Sequence, residues 1–329
     1  MSVFFKLIRL GLVLSALGVV TLSVMALFGF AVPVFDLFNH AQIFLLPGTF
    51  LALPILGFAL RGKWRSAALI YGFVGFAASA NVILPETVAS LQTRPAAPAS
   101  GTVRMMTHNL FGMNYEMAQV TEAILAEDPD IIVFQEYFGE QSTDLHPLLV
   151  SRYPYFVHCR GGKRANLGLY SRIPFEQEMD GACPENAYGT ARTAHIIAKF
   201  AEPDGDQFTV ITTHMDWPIP VSRQQEQLGA MSDLLDTIEG PVVLAGDFNS
   251  TAWSYALREF VAGNGLVRET LNMLTFPMSW YYLGAWRDTV PFLPLDHVMT
   301  RGGIVVHDIH TGKPTASDHL PVVFSFSVR

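Results

Sequence analysis

Pro241–Ser250 reads PVVLAGDFNS: an apolar run, Pro241–Ala245, closing in Gly246-Asp247-Phe248-Asn249. The run has the length and β-branched content of a buried strand, and the Gly-Asp-x-Asn that ends it has turn chemistry. Alone it is an ordinary Asp/Asn turn. Working outward, the same construction recurs. Val103–Met106 ends in Thr107-His108-Asn109, Asp130–Phe134 in Gln135-Glu136, and Phe208–Thr212 in Thr213-His214. Two further clusters, Leu295-Asp296-His297 and Ser317-Asp318-His319, open such runs instead, Val298–Thr300 and Leu320–Val328. Ends of some strands and starts of their antiparallel neighbours share one rim of a sheet. Six polar clusters therefore converge on one edge, and carboxylates, amides and imidazoles gathered there suit divalent-metal hydrolysis of a phosphate ester.

Other strand-like runs are Tyr155–Cys159, Leu167–Ser171 and Thr193–Phe200, with Leu167–Phe200 reading as hairpins. Helical spacing appears in Glu116–Glu127, where Val120, Ala123 and Ile124 share a face before Asp128-Pro129 stops it. It recurs in Ser222–Glu239, with Leu228, Met231, Leu235 and Ile238 on one face, Ser222 and Gln225 as a capping box, and Gly240-Pro241 as terminator. Strands with intervening helices and a late strand pair predict an α+β fold, a two-sheet αβ sandwich covered by helices.

The N-terminal third is different. Half of the 329 residues are hydrophobic and only 15% charged, with a mean hydropathy of +0.30, too apolar for one soluble domain. Leu10–Phe35, Leu37–Leu60 and Ser66–Pro85 contain no Lys, Arg or Glu, and Asp36 falls between the first two. Each is long enough to cross a bilayer core of about 30 Å. We expect three transmembrane helices in residues 1–85, a linker over 86–100 (ETVASLQTRPAAPAS) and one catalytic domain over 101–329. A cleaved signal peptide is the alternative for the first span, but two more spans follow it. Lys6, Arg9, Arg61, Lys63 and Arg65 place the N-terminus and the second loop in the cytoplasm by the positive-inside rule. The chain is then a multi-pass cell-membrane protein whose large domain is extracytoplasmic, in the periplasm of a Gram-negative cell.

Residues 101–329 carry 15 basic and 27 acidic side chains, a net of −12, which gives no global attraction for nucleic-acid backbones. A local basic patch around Arg160, Lys163 and Arg164 leaves nucleic acid open as a partner.

Each polar cluster has a bland alternative: Asn109 as a turn former, Glu136 as a solvated carboxylate, each Asp-His pair as a satisfied structural histidine. Glu136 rises above this because it follows Ile131–Phe134, where an ionised carboxylate wants a cation or partner. Asp247 is placed to align or deprotonate water. Asn249, two residues on along an extended backbone, would offer its amide to phosphate, and Gly246 would let backbone approach the substrate. A carboxylate bonded to the Nδ1–H of His319 would fix its tautomer and favour its charged form. His214 would supply a second donor.

In this order the clusters resemble the endonuclease/exonuclease/phosphatase superfamily, the deoxyribonuclease I and exonuclease III fold, over Val103 to Val328. The resemblance implies a Mg²⁺ site, also open to Mn²⁺, at Asn109, Glu136 and Asp318. It matches Asp247 and Asn249 to the Gly-Asp-x-Asn pair, Asp296 to the carboxylate that orients the closing histidine, His319 to that histidine, and His214 to a mid-chain histidine. The position after Asp296, commonly Tyr in nucleases, is His297, and His214 lacks an evident carboxylate partner. The implied activity is that of a phosphodiesterase, nuclease or phosphatase. Its substrate is a phosphoester, with a lipid headgroup and nucleic acid both open. A membrane-tethered binding protein that retains the fold without catalysis is the alternative, opposed by the chemical competence of every position.

Two features stay outside the resemblance. Cys159 and Cys183, the only cysteines, flank Leu167–Ser171, where a disulfide and two buried thiols are equally consistent. Thr275–Trp286 is aromatic-rich and reads either as filler against the sandwich or as rings placed at a bilayer interface.

Overall fold

A computed structural model describes residues 3–92, 101–160, 164, 166–177, 193–201 and 207–329. They divide into two units, one of 1–92 with 251–258 and one of 93–250 with 259–329.

In the first unit, α1 (Val3–Ala26) leads through a 3₁₀ helix (Pro33–Ala41) to α2 (Gln42–Ala59) and α3 (Gly62–Gln92). All three stretches are long and apolar enough to cross a membrane. Their bounds differ from the sequence reading: the first helix ends at Ala26, and the third continues through Pro85, so Glu86–Gln92 is helix rather than linker. Small residues allow close approach. A side chain added at Gly75 would meet Val20 and one at Gly48 would meet Val19, each at 2.9 Å, while Ser23 Oγ bonds Gly75 O and Ser79 Oγ, each at 2.6 Å. Leu14, Phe50, Phe58 and Phe73 are exposed. Asp36 is buried because it caps a helix start: its carboxylate accepts from Ser254 Oγ at 2.8 Å and from the N–H groups of Tyr255 at 2.6 Å and Ala256 at 3.0 Å.

The second unit is the expected two-sheet sandwich. In chain order it comprises β1 (Val103–Asn109), α4 (Met117–Glu127), β2 (Ile131–Gln135), α5 (Gly139–Leu149), β3 (Tyr155–Cys159), β4 (Leu167–Ser171), β5 (Phe175–Gln177), β6 (His195–Ala201), β7 (Gln207–His214), α6 (Val221–Asp236), β8 (Val242–Asp247), the later part of α7 (Tyr255–Gly263), whose residues up to Arg258 belong to the first unit, β9 (Val267–Arg268), β10 (Ser279–Tyr282), β11 (Ala285–Asp288), β12 (Asp296–Arg301), β13 (Ile304–Thr311) and β14 (Val322–Val328). One sheet has the order β13-β14-β1-β2-β4-β3, the other β5-β6-β7-β8-β12-β9, and β10-β11 stand apart as a hairpin. Cys159 is disulfide-bonded, and Cys183 lies outside the described residues, as does Lys163 of the basic patch.

Period-two alternation builds the core and aims the site. Val103 and Met105, Ile131 and Val133, Phe208 and Val210, Val243 and Ala245, and Val298 all face the gap between the sheets. Met106, Ile132 and Phe134 face the other way, under Val120 and Ile124 of α4. Burying each large apolar side chain contributes about 1.5–3 kcal/mol. Asn109, Gln135, His214, Asp247 and Asp296 keep the core parity of their strands. The pairings Asn109 with Gln135, His214 with Asp247 and Asp296 with Asp247 bring these strand ends into register. The polar residues thus cap one end of the inter-sheet gap.

Two expectations change. The capping box at Ser222 does not form, because Pro220 holds the N-cap position without a side-chain bond. The stretch around Trp280 is a hairpin with exposed rings, not filler. Gly246 has a packing reason to be glycine that its sequence context did not show: a side chain there would come within 2.1 Å of Thr213 O on β7.

Candidate active site

Asp247, the last residue of β8, is buried and central. Its Oδ2 accepts from Asn109 Nδ2 at 2.9 Å, and its Oδ1 accepts the Asn249 N–H at 2.8 Å. That second bond is the local reason for the turn. Asn249 is not extended, as its spacing suggested, but left-handed at φ 47°, a conformation Asn tolerates. Turned in this way, its Nδ2 donates to Met215 O at 2.9 Å and lies 3.2 Å from His214 Nε2. His214 Nε2 is 3.5 Å from Asp247 Oδ2 and 3.9 Å from Glu136 Oε1, which supplies the carboxylate neighbours the sequence left unnamed. Burial, reinforced by the charges of Arg164 and His319, keeps His214 neutral.

His319 arrives from the loop before β14. Its Nδ1–H donates to Asp296 Oδ2 at 2.8 Å, and its Nε2 lies 3.8 Å from Asp247 Oδ2. Burial alone would discharge the ring, but Asp296 and then Asp247 outweigh it and raise His319 to about 10. Asp296 is correspondingly held low by the same imidazolium despite its burial. Burial drives Asp247 up, and Asp296 adds to that. Ser317 positions the loop, donating to Asn109 O at 2.7 Å and accepting the His319 N–H at 3.0 Å.

Glu136 follows β2 in a left-handed conformation at φ 54°, and its Oε2 accepts the Gly112 N–H at 2.7 Å. The Asn109 Oδ1 accepts from Phe111 N at 3.0 Å. Asp318, raised to about 6 by burial, also feels the negative charge of Glu136. All eight residues singled out in the sequence are thus brought to one end of the sandwich. For a cation, the ligand atoms of Asp247, Asp296 and His319 lie within 4.8 Å of one another.

The neighbouring histidines are structural. His108 Nε2 bonds Thr315 Oγ1 at 2.6 Å, His297 Nε2 bonds Ser250 O at 2.8 Å, and burial lowers both to about 3. Gln224 was not anticipated: its amide donates to Asp216 O at 2.9 Å and to Phe248 O and Asn249 O, both at 3.2 Å. It fastens the Gly-Asp-Phe-Asn turn from α6. A polar residue on the buried side of an amphipathic helix was the available signal, and the capping-box reading of Ser222 obscured it. Phe276, whose ring centroid is 4.7 Å from that of His319, was seen only as part of an aromatic run.

A two-sheet sandwich that gathers Asn, Glu, Gly-Asp-x-Asn, Asp and Ser-Asp-His at one end has the architecture of a class of proteins whose members typically act on phosphoester bonds. The chain belongs to the Endonuclease/Exonuclease/phosphatase family, whose sequence profile matches residues 106–319. It is 29% identical over 141 residues to a UPF0294 protein of Vibrio parahaemolyticus, covering 41% of this chain and 45% of that one. The chain thus spans under half the length of that relative. Among solved structures, an endonuclease/exonuclease/phosphatase from Beutenbergia cavernae superposes with a TM-score of 0.52 at 20% identity, over 69% of this chain and 72% of the other. One from Bacteroides vulgatus gives 0.54 at 19% identity, over 69% and 99%.

Proposed function

We propose that the protein is a divalent-metal-dependent hydrolase of phosphate esters, tethered by three N-terminal spans with its catalytic domain extracytoplasmic. The observation that carries this reading is His319, held as an imidazolium between Asp296 and Asp247 beside the oxygen donors Glu136, Asp318 and Asn109. Those donors fit a hard cation. A carboxylate that burial and a neighbouring negative charge make costly to ionise, as Asp318 is beside Glu136, with an amide oxygen alongside, is what Mg²⁺ or Mn²⁺ recruits, whereas a protonated His319 has no lone pair to give. Asn109, Glu136 and Asp318 would hold the ion, which when bound polarises the phosphoryl oxygen.

The remaining steps belong to the chain. Asp247, raised toward neutrality by burial, takes the proton of the attacking water as its oxygen bonds phosphorus. His319 and the Asn249 amide stabilise the charge that develops on the phosphoryl oxygens. His214 joins them as a donor in its Nε2–H tautomer. The leaving alkoxide departs opposite the water and is protonated by solvent. The full chain, purified in detergent, is tested on a panel of DNA, RNA, sphingomyelin, phosphoinositides and p-nitrophenyl esters with Mg²⁺, Mn²⁺ or EDTA. Turnover that survives EDTA overturns the metal requirement, and no turnover on any member overturns the enzyme.

The pH profile is a second check. A folded pKa raised above 6.5 means that the protonated form, and the stability it contributes, is fully present below 6.5 and lost only as pH rises through about 10. Activity is therefore expected to lack a basic limb between pH 6.5 and 9, and Asp296→Asn should bring that limb down toward the ordinary histidine range. A basic limb near 6.5 in the unaltered protein contradicts the assignment.

Orientation is tested by fusion. A C-terminal alkaline phosphatase should be active and a C-terminal green fluorescent protein dark. The reverse pattern places the domain in the cytoplasm.

A further inference from the structure

We propose that the β10–β11 hairpin is a bilayer-contacting element, and that it makes the substrate of this site a phosphoester borne by a lipid. The proposal rests on the hydrolase reading above for its substrate half, and on the hairpin alone for its membrane half.

The hairpin is apolar where a solvent-facing hairpin has no reason to be. Trp280, Tyr281, Tyr282, Leu283 and Trp286 are all exposed, Leu283 at 83%. Contiguous exposed apolar surface on this scale marks an interaction site. The turn sharpens the point. Leu283 and Gly284 occupy its two central positions with φ of 51° and 80°, the geometry that Asn-Gly satisfies best and that a bulky leucine adopts at a cost. Folding of the hairpin does not call for leucine at its tip, but insertion into an apolar medium does.

Strand register separates the two faces. Tyr281 pairs with Trp286 and Trp280 with Arg287, so Tyr281 and Trp286 share one face and Trp280 lies on the other. On the first face Trp286 is partly seated, packing edge-on against Phe111 at 5.3 Å and against Tyr281 at 5.4 Å, while Tyr281 stays as open as Trp280. Trp280 is left outward, with Leu283 at the tip. The Phe111 N–H is itself the donor to the Asn109 Oδ1, and the hairpin's base is bonded to the catalytic loop: Met278 N–H donates to Asp318 O at 2.7 Å and Leu320 N–H to Thr275 O at 2.9 Å. The exposed rings therefore grow from the same backbone that presents Asp318 and His319.

The occupant is a lipid surface. The chain carries three helices long and apolar enough to enter one, and residues 93–100 can span at most about 30 Å, so a bilayer is always within the domain's tethered reach. Amphipathic Trp and Tyr suit the headgroup boundary. With a net charge of −12 over residues 101–329, the domain favours a zwitterionic surface over an anionic one.

The test uses the full chain reconstituted in phosphatidylcholine vesicles, with two phosphodiesters that share a leaving group: soluble bis(p-nitrophenyl) phosphate and bilayer-borne phosphatidyl-p-nitrophenol. The variant Trp280→Ser with Leu283→Asn leaves Trp286 seated and eases the turn. It should cut turnover of the lipid ester at least tenfold while changing that of the soluble ester less than twofold. Separately, brominated phosphatidylcholine should quench the tryptophan emission of the unaltered protein more than that of Trp280→Phe, whatever the catalytic outcome. Equal quenching in the two proteins, or parallel losses on both esters, overturns the hairpin's role. Inactivity of the unaltered protein on both esters, with the quenching difference intact, overturns the hydrolase reading and leaves the membrane contact standing.

Discussion

His319→Ala and Glu136→Gln are each expected to lower kcat by about 10² or more, by the measure of other lost electrostatic contacts to a transition state. The reasons differ. His319 is charged because Asp296 and Asp247 hold it so, and alanine removes that charge while leaving two buried carboxylates facing each other. Glu136→Gln keeps the volume and an acceptor for the Gly112 N–H, but removes the negative charge a cation would require. The glutamine variant should therefore fold normally and show a steeper dependence on added Mg²⁺, whereas the alanine variant should not be rescued by metal. Activity of either variant within threefold of the unaltered protein refutes its assigned role. The measurement is kcat and its dependence on Mg²⁺ concentration.

Gly246→Ala is expected to cost about 3 kcal/mol or more of stability, at the upper end of overpacking penalties, or to abolish folding. The added carbon would sit 2.1 Å from the Thr213 carbonyl oxygen, and that contact lies inside the β7–β8 ladder, where neither strand can withdraw without breaking its pairing. A loss of this size lowers the unfolding midpoint by roughly 6–12 °C in a domain of this length. Gly229→Ala is the control: nothing lies within 4 Å of that position in α6, and alanine in a helix interior is expected to be neutral or to stabilise by about 0.5–1 kcal/mol. Thermal unfolding followed by circular dichroism compares them. Equal midpoints for the two variants would mean that the turn relaxes freely, contrary to the packing described.

The site residues were legible in the sequence because a strand's period of two ties chemistry to the core. Once Val243 and Ala245 are inward, so is Asp247, and the same holds for Met105 with Asn109 and Val298 with Asp296. A polar residue that continues an inward parity beyond the last apolar position has to lie at the end of the gap between sheets. The three apolar N-terminal stretches were legible for an equally local reason, their length without charge. What the linear order did not contain was the pairing of distant elements. Only the β7–β8 register explains why residue 246 must be glycine. Only the approach of α6 to the 248–249 carbonyls shows what Gln224 does. Hydropathy could not tell whether the rings of Trp280–Trp286 face a core or solvent, since an alternating aromatic run reads alike in either place. Their exposure was decided by where the hairpin leaves the sandwich, at backbone bonds to Asp318 and Leu320. The charge on His319 belongs to this second kind too: Asp296 and Asp247 are 23 and 72 positions away in sequence, and their fields act across a few ångströms only after the sheets have closed.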